Sequence, residues 1–174
     1  MPVDSVASCR AIVNAMVTDI NTEIAAKQSD GTAISPARFT ATVNYYPEYT
    51  HVDLNDVRVD VRYVESRFEG ESRAGLYAMH DVEITIQQAI RWEETAEISL
   101  LVDLAERVGK FYAENCEPCG IDSASHTSMK TALGTDYPLE CIANTLTVYD
   151  PIRLYDYKHF WSMLALTWRE NVSS

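Results

Sequence analysis

The sequence predicts an α+β domain in which two helices pack on one face of an antiparallel sheet of about four to five strands. Two patterns predict this class. In two segments apolar residues recur at steps of three and four, which is typical of a helix with one buried side. In other segments apolar and polar residues alternate, which is typical of a strand with one buried side. The chain has 174 residues, 47% of them hydrophobic, and is predicted to form a single domain over residues 1–174.

Two helices are predicted. The first spans residues 3–27 and can be capped by Asp4 or Ser5, whose side-chain oxygens accept hydrogen bonds from the first backbone amides. Its apolar stripe is formed by Val6, Cys9, Val13, Met16, Val17, Ile20 and Ile24. The second helix spans residues 94–112, and its apolar stripe is formed by Ile98, Leu101, Leu104, Ala105, Val108 and Phe111.

Three strands are predicted in the first half of the chain, at residues 38–46, 57–63 and 78–92. The second and third are expected to pair as a long hairpin. Residues 65–79 contain glycines and mixed charges without periodicity. This segment is predicted to be a long exposed loop or the tip of an extended hairpin.

Two further strands are predicted near the end of the chain. Residues 144–149 can form a short strand, and residues 160–169 form a strand with apolar residues on both faces. Residues 115–136 show no sustained period and are predicted to be a loop. No element is predicted for residues 150–157.

The charge of the chain excludes some functions. Lys and Arg number 14 against 26 Asp and Glu, so the net charge is −12 and the isoelectric point is near 4.6. Because nucleic-acid binding depends on basic side chains, the chain is a poor candidate for gripping phosphates. No basic leader begins the sequence, and its longest apolar stretch, residues 160–168, is shorter than the roughly 20 residues that span a bilayer. We expect a cytosolic product.

The cysteines form one short motif. Cys116 and Cys119 are a C-x2-C pair that could bind zinc together with His126 and Cys141. The spacing after the pair fits no standard second half of a zinc site. A thioredoxin-like redox role needs the pair at the start of a helix, whereas this pair follows the second predicted helix. Reduced thiols in a loop are the favoured interpretation, and no metal or cofactor is predicted.

No catalytic motif is present in the sequence. The histidines at positions 51, 80, 126 and 159 fall in different segments, and none has a carboxylate at ligand spacing. Residues 70–75 lack the spacing of a nucleophile elbow, and there is no phosphate-binding glycine motif. We therefore predict no catalytic, cofactor-binding or metal-binding residues and no enzymatic activity. A site assembled from dispersed residues stays an alternative without a motif in its favour.

Aromatic residues are abundant for a chain of this size. The ones in question are Tyr45, Tyr46, Tyr49, Tyr63, Tyr77, Trp92, Tyr149, Tyr155, Tyr157, Phe160, Trp161 and Trp168. Tyr and Trp suit surfaces that are apolar on one side and hydrogen-bonded on the other, so the excess is compatible with subunit interfaces. Ordinary core and edge positions explain it equally well.

Five segments, in this order, resemble small neck proteins of prophages and tailed phages. They are RFTATVNYYPEY at residues 38–49, DLNDVRVDV at 53–61, DVEITIQQ at 81–88, LLVDLAERV at 100–108 and FWSMLALTWR at 160–169. Within this group the pattern is similar to tail terminators, which are also called tail completion proteins. The resemblance covers most of the chain from about Arg38 onward. It rests on strand and helix patterns and carries no catalytic residues.

The resemblance implies a single tail-terminator-like α+β domain. Such a subunit assembles with copies of itself into a ring, expected to be a hexamer, that caps the tail tube and then meets the head–tail connector. Its partners are therefore other copies, the major tail tube protein and a connector or head-completion protein, and its place is in the virion, after assembly in the host cytoplasm. DNA passes through the channel without specific binding.

The acidic charge gains a role under this interpretation, because acidic side chains that face a channel repel phosphates and let DNA slide. Candidates for that lining are Asp60, Glu65, Glu69 and Glu71, and residues 65–79 are a candidate arm that reaches a neighbouring subunit or the tube. Two alternatives stay open. One is another head–tail connector or head-completion protein, and the other is a small zinc-binding or redox protein that uses Cys116 and Cys119.

Overall fold

The computed structural model describes residues 9–25, 39–45, 49–50, 53–71, 75–91, 95–114 and 139–171. The described helices and strands are α1 (Cys9–Asp19, continued by a π-helical segment at Ile20–Ala25), β1 (Ala41–Val43), β2 (Arg58–Glu71), β3 (Gly75–Ala89), α2 (Thr95–Glu114), β4 (Leu139–Thr147), α3 (Pro151–Tyr157) and β5 (His159–Asn171). The five strands form one sheet in the order β1-β2-β3-β5-β4. The predicted α+β class with a sheet of up to five strands is confirmed.

The sheet is mostly antiparallel, with one exception. The pairs β2–β3, β3–β5 and β5–β4 are antiparallel, whereas β1 runs parallel to β2 with Ala41 opposite Val59. A parallel pair needs a connection of about a dozen residues or more, and residues 44–57 supply it. The Asn21 side chain holds β1 in place, because its Oδ1 accepts a hydrogen bond from Ala41 N at 2.7 Å and its Nδ2 donates to Ala41 O at 3.1 Å.

The hairpin of β2 and β3 is longer than the clear alternation of residues 57–63 predicts. Pairing continues from Glu65 opposite Asp81 to Glu71 opposite Gly75, after a bulge between Tyr63 and Glu65. Of the two predictions for residues 65–79, the extended hairpin is confirmed and the long loop is wrong. The apolar pattern stops because the side chains from Val64 to Gly70 are exposed, so neither face of this part of β2 needs to be apolar.

One face of the sheet carries the core. Val61, Ile84, Leu164 and Leu146 lie side by side across four strands, and the first three are at most 2% exposed. Side chains of this kind each contribute about 1.5–3 kcal/mol when fully buried. The buried residues of α1 and α2 belong to the same cluster.

Helix α2 contacts this apolar face through Tyr112. Its ring packs edge-on against Trp168 of β5 with centroids 6.3 Å apart, and its hydroxyl lies 3.5 Å from the carbonyl of Met16 in α1. Both predicted long helices are present, although residues 3–8 and 26–27 of the first, including Asp4 and Ser5, lie outside the described residues. That both helices pack on one face stays a prediction.

Helix α3 was not predicted from the sequence. It is seven residues long and buries only Leu154, so no apolar stripe marks it. Its signal is at its ends. Asp150 is the N-cap, with its carboxylate accepting hydrogen bonds from Ile152 N and Arg153 N, and a proline follows at the first helical position. Lys158 ends the helix in the left-handed conformation at φ 53°.

We expect substitutions at the two cap residues of α3 to change stability in opposite directions. Asp150→Ala removes the acceptor for two backbone amides and should lower the free energy of unfolding by about 1 kcal/mol, whereas Asp150→Asn should cost much less. Lys158→Gly should raise it, because a side chain in the left-handed region costs about 1 kcal/mol and glycine does not. Urea unfolding followed by circular dichroism measures both changes. A loss on Lys158→Gly would contradict the assigned C-cap conformation.

Candidate interaction surfaces

The far half of the β2–β3 hairpin is the first candidate surface. We call it the arm and define it as residues 64–71 of β2 with residues 75–81 of β3. Strand β1 pairs with β2 only as far as Val61, so within the described part of the chain the outer edge of β2 is unpaired along the arm. Val64 and Phe68 are 48% and 56% exposed. The arm therefore presents two apolar side chains to solvent.

The charges of the arm are organised around Arg67. Its guanidinium lies 2.5 Å from Asp81 Oδ2, 3.1 Å from Glu65 Oε1 and 3.4 Å from Glu69 Oε1. The hydrogen bond with Asp81 is the main reason that the pKa of Arg67 is raised above its usual value. Three carboxylates and one guanidinium leave these four residues with a net charge of −2.

The predicted channel-lining acids do not share one environment. Glu65 and Glu69 are exposed on the arm, with side chains 60% and 56% accessible, and they stay candidates. The prediction for Asp60 is wrong, because this residue is only 1% exposed. The side chain of Glu71 lies outside the described residues.

Asp60 is a buried hydrogen-bond acceptor that joins three segments. Its Oδ1 accepts from Thr42 Oγ1 of β1 at 2.9 Å, and its Oδ2 accepts from the Tyr49 hydroxyl at 2.7 Å. Burial and, next, the hydrogen bond with Asp60 raise the pKa of Tyr49 above its usual value. The carboxylate thus fastens β1 and the Tyr49 segment to β2, and it is not available to a channel.

Replacing Asp60 should affect stability and not the charge of any channel. Asp60→Ala leaves the partner hydroxyls of Thr42 and Tyr49 without their acceptor and should lower the free energy of unfolding by about 1–3 kcal/mol. Glu69→Ala on the same strand is the matched control and should change it by at most about 0.5 kcal/mol. Chemical denaturation measures both. Equal small losses would contradict the buried role of Asp60.

A second polar group lies in the core. His80 of β3 and Glu170 of β5 are both 1% exposed, and His80 Nε2 is 3.2 Å from Glu170 Oε2. The Tyr63 hydroxyl is 2.9 Å from His80 Nδ1, and burial is the largest cause of the strongly raised pKa of Tyr63. A proton on His80 Nε2 is within hydrogen-bond distance of Glu170 Oε2, so the imidazole can donate to this carboxylate. Sequence reasoning missed this hydrogen-bonded group, because Tyr63, His80 and Glu170 are far apart in the sequence and become neighbours only when the strands pair.

The pair should stabilise the β3–β5 contact. Glu170→Ala removes the partner of a buried imidazole nitrogen and should lower the free energy of unfolding by about 1–3 kcal/mol. Glu170→Gln keeps an acceptor oxygen of the same reach and should cost less. Thermal and urea unfolding of both variants test this order. Equal losses would show that the hydrogen bond to His80 does not matter.

The second candidate surface surrounds α3, and we call it the aromatic patch. It consists of Tyr149, Ile152, Tyr155 and Tyr157, which are 38%, 65%, 66% and 62% exposed. By contrast Phe160 and Trp168 are buried. The aromatic residues therefore include core positions in β5 and exposed positions around α3, and the exposed ones stay candidates for a subunit interface.

An open groove lies between α2 and β4. It has a volume of about 290 Å³, with Leu146, Leu164 and Gly109 among the residues that line it and Glu106 and Lys110 beside them. A space of this size is at or below the low end of the roughly 300–1,000 Å³ that is usual for ligand sites. Sequence reasoning gave no signal for the groove.

The cysteine prediction is tested only at one position. Cys116, Cys119 and His126 lie outside the described residues, while Cys141 is buried in β4 with its thiol 3.6 Å from Ala143 O. Within the described segments no group of His, Cys, Asp and Glu side chains could hold a metal ion. In those segments there is also no helix with the length and apolar character needed to span a membrane.

Comparison with known proteins identifies no family. No protein-family profile matches the chain, and no curated protein matches it. Residue roles on the arm and the aromatic patch therefore rest on the geometry and the exposure of this chain alone.

Proposed function

We propose that the protein is a tail terminator of a tailed phage or prophage. It is a structural subunit that forms a ring on the end of the tail tube and joins the tube to the head connector. The segments that resemble this family supply support, because they coincide with elements of the sheet and its main helix. Residues 38–49 contain β1, 53–61 lead into β2, 81–88 lie in β3, 100–108 lie in α2 and 160–169 lie in β5.

The observation that carries the proposal is the presence of two exposed apolar surfaces, the arm and the aromatic patch. Monomeric proteins rarely leave large apolar side chains grouped at the surface, and such groups mark contacts with other proteins. The arm offers Val64 and Phe68, and the aromatic patch offers four residues around α3. A ring subunit needs contacts with neighbouring copies, with the tail tube protein and with the connector.

DNA passes through the channel of this ring without specific binding. A protein with a net charge of −12 repels phosphates, and exposed acids on a channel wall let the duplex slide. Glu65 and Glu69 of the arm stay the described candidates for that wall. The protein acts in the virion neck without a catalytic step.

Capping of tail tubes tests the proposal. Tubes assembled from the major tail protein of the same genome should acquire a ring at one end when the purified protein is added, and negative-stain images should show it. A variant in which residues 69–77 are replaced by an Asn-Gly turn should stay folded and lose capping, because the tip of the arm is removed. Ile142→Glu, an exposed position on β4, serves as the control and should still cap.

Other outcomes select the alternatives. Binding to connector or portal complexes in place of tail tubes would favour a head-completion protein. Stoichiometric zinc in the purified protein, together with no binding to tubes or connectors, would overturn the proposal in favour of a metal protein built on Cys116 and Cys119.

A further inference from the structure

We infer that two copies of the chain pair across a two-fold axis at the outer edge of β4, so that their sheets join and their α2 helices lie side by side. The occupant of the groove between α2 and β4 is therefore a second copy of this chain. The inference goes beyond the proposed function, because a contact between identical surfaces closes with two copies and does not extend into a ring. It is a contact in addition to those that a ring requires.

The outer edge of β4 is open to another strand. β4 is the last strand in the sheet order, and within the described part of the chain only β5 pairs with it. Residues 142–145 are exposed. After the bulge that follows Cys141, the stretch Ala143 to Thr147 pairs regularly with β5 and contains no charged residue and no proline. It therefore lacks the charges that protect the outer edge of the arm, and such an edge readily accepts another strand.

The two faces of the sheet determine the register of this pairing. Leu146 lies opposite Leu164 on the apolar face, and residues directly opposite each other in an antiparallel pair point to the same face. Because the apolar faces of both copies must join, the two-fold axis passes through a residue of β4 and not between two residues. An axis at Leu146 places the two copies of Leu146 opposite each other on the apolar face. On the other face it places Thr145 opposite Thr147.

The position of α2 suits a second copy at this distance. α2 contacts both β4 and β5, so it lies about one strand spacing from an axis at the edge of β4. Neighbouring strands are about 4.8 Å apart, which separates the two α2 helices by about 10 Å. Packed helices are usually about 8–10 Å apart. A β-carbon at Gly109 would lie 3.0 Å from Leu146 Cδ2, so Gly109 lies over the residue through which the axis passes.

The charges along the groove are complementary to those of a second copy. Glu106 and Lys110 line the groove and are both exposed. Their midpoint is residue 108, next to Gly109, so across the axis Glu106 of each copy faces Lys110 of the other. The contact therefore gains two pairs of opposite charges at once. Gly109 and Ala113 have little or no side chain, which leaves room in the groove for the aliphatic part of the second copy's Lys110.

The mass of the protein in solution tests the contact. Sedimentation and light scattering over a concentration series should show a wild-type dimer. Glu106→Lys and Lys110→Glu each place like charges at both contacts and should weaken the dimer by roughly 10-fold or more. Arg91→Glu makes the same change of charge as Lys110→Glu at an exposed position outside α2, and should dimerise like the wild type. Circular dichroism confirms that each variant is folded.

Mixing the two variants gives the sharpest result. One variant then carries two lysines and the other two glutamates at positions 106 and 110, so a dimer of one copy each regains both opposite-charge contacts. The double variant Glu106→Lys with Lys110→Glu should likewise dimerise like the wild type. The inference is wrong if the wild type is monomeric at every concentration, if neither single variant weakens the dimer, or if mixing does not restore it.

Hydrogen exchange distinguishes strand pairing from a contact between the helices alone. Backbone amides of residues 143–147 that face away from β5 should exchange more slowly at concentrations at which the dimer forms. Lys110→Glu should remove this protection at the same concentration. A dimer in which these amides exchange at the rate of the monomer would overturn the pairing of β4 with β4.

These outcomes are separable from the tail-tube experiment. Capping by a wild type that is monomeric in solution would overturn the two-fold contact and leave the proposed function standing. A dimer with the expected losses and rescue, but with no capping of tubes or binding to connectors, would do the reverse.

Discussion

The register between β3 and β5 is the constraint on which the rest of the structure depends. These are the two central antiparallel strands that carry β2 and β4 on their outer sides. Ile84 lies opposite Leu164 and Val82 opposite Leu166, so both strands turn their apolar residues to one face. Because side chains alternate along a strand, a slip of one residue would turn the whole apolar set of one strand away from the core. The same register brings His80 beside Glu170, which adds a polar contact that only one alignment satisfies.

This pairing also determines where the two exposed surfaces lie. At one end β5 begins directly after α3, and the backbone hydrogen bonds to Trp161 and from Ile90 fix the helix against the sheet. At the other end β3 continues through the arm while β5 still pairs with it as far as Tyr77 opposite Asn171. The arm is therefore supported on one side by β5 and open on the side of β2. The separation of the surfaces follows from the length of the central strands.

The sequence predicts those strands and helices that have one buried face and one solvent-exposed face. Residues 57–63 alternate clearly, and from Arg58 onward they form the first half of β2. The β2 half of the arm fails this test because residues 64–70 are exposed on both faces, so alternation stops where pairing does not. Helix α3 is too short for periodicity, and only the Asp150 and Pro151 pair marks it. The parallel β1 depends on the path of a connection that no local pattern encodes.

The sites were harder to predict than the fold. Asp60 lies at a polar position in the alternation of its strand, which predicts a solvent-exposed side chain. In the structure Thr42 of β1 and Tyr49 contact its carboxylate, and the residue is buried. His80 and Glu170 carry no motif, since only the β3–β5 register makes them neighbours. The composition shows that aromatic residues are abundant, but it does not distinguish the exposed tyrosines of the aromatic patch from the buried Trp168. What decides the difference is burial, which depends on the assembled sheet.

The free edge of β2 along the arm is protected against strand pairing, so the arm is suited to contacts through side chains. An unpaired strand edge invites another strand, and charged side chains and bulges are the usual protection against it. The arm has both, with Glu65, Arg67 and Glu69 along its exposed strand and a bulge after Tyr63. Backbone pairing with an unrelated strand is therefore disfavoured, while Phe68 still projects an apolar ring among the charges. In a strongly acidic protein this combination restricts association at the arm to surfaces that match it in both shape and charge.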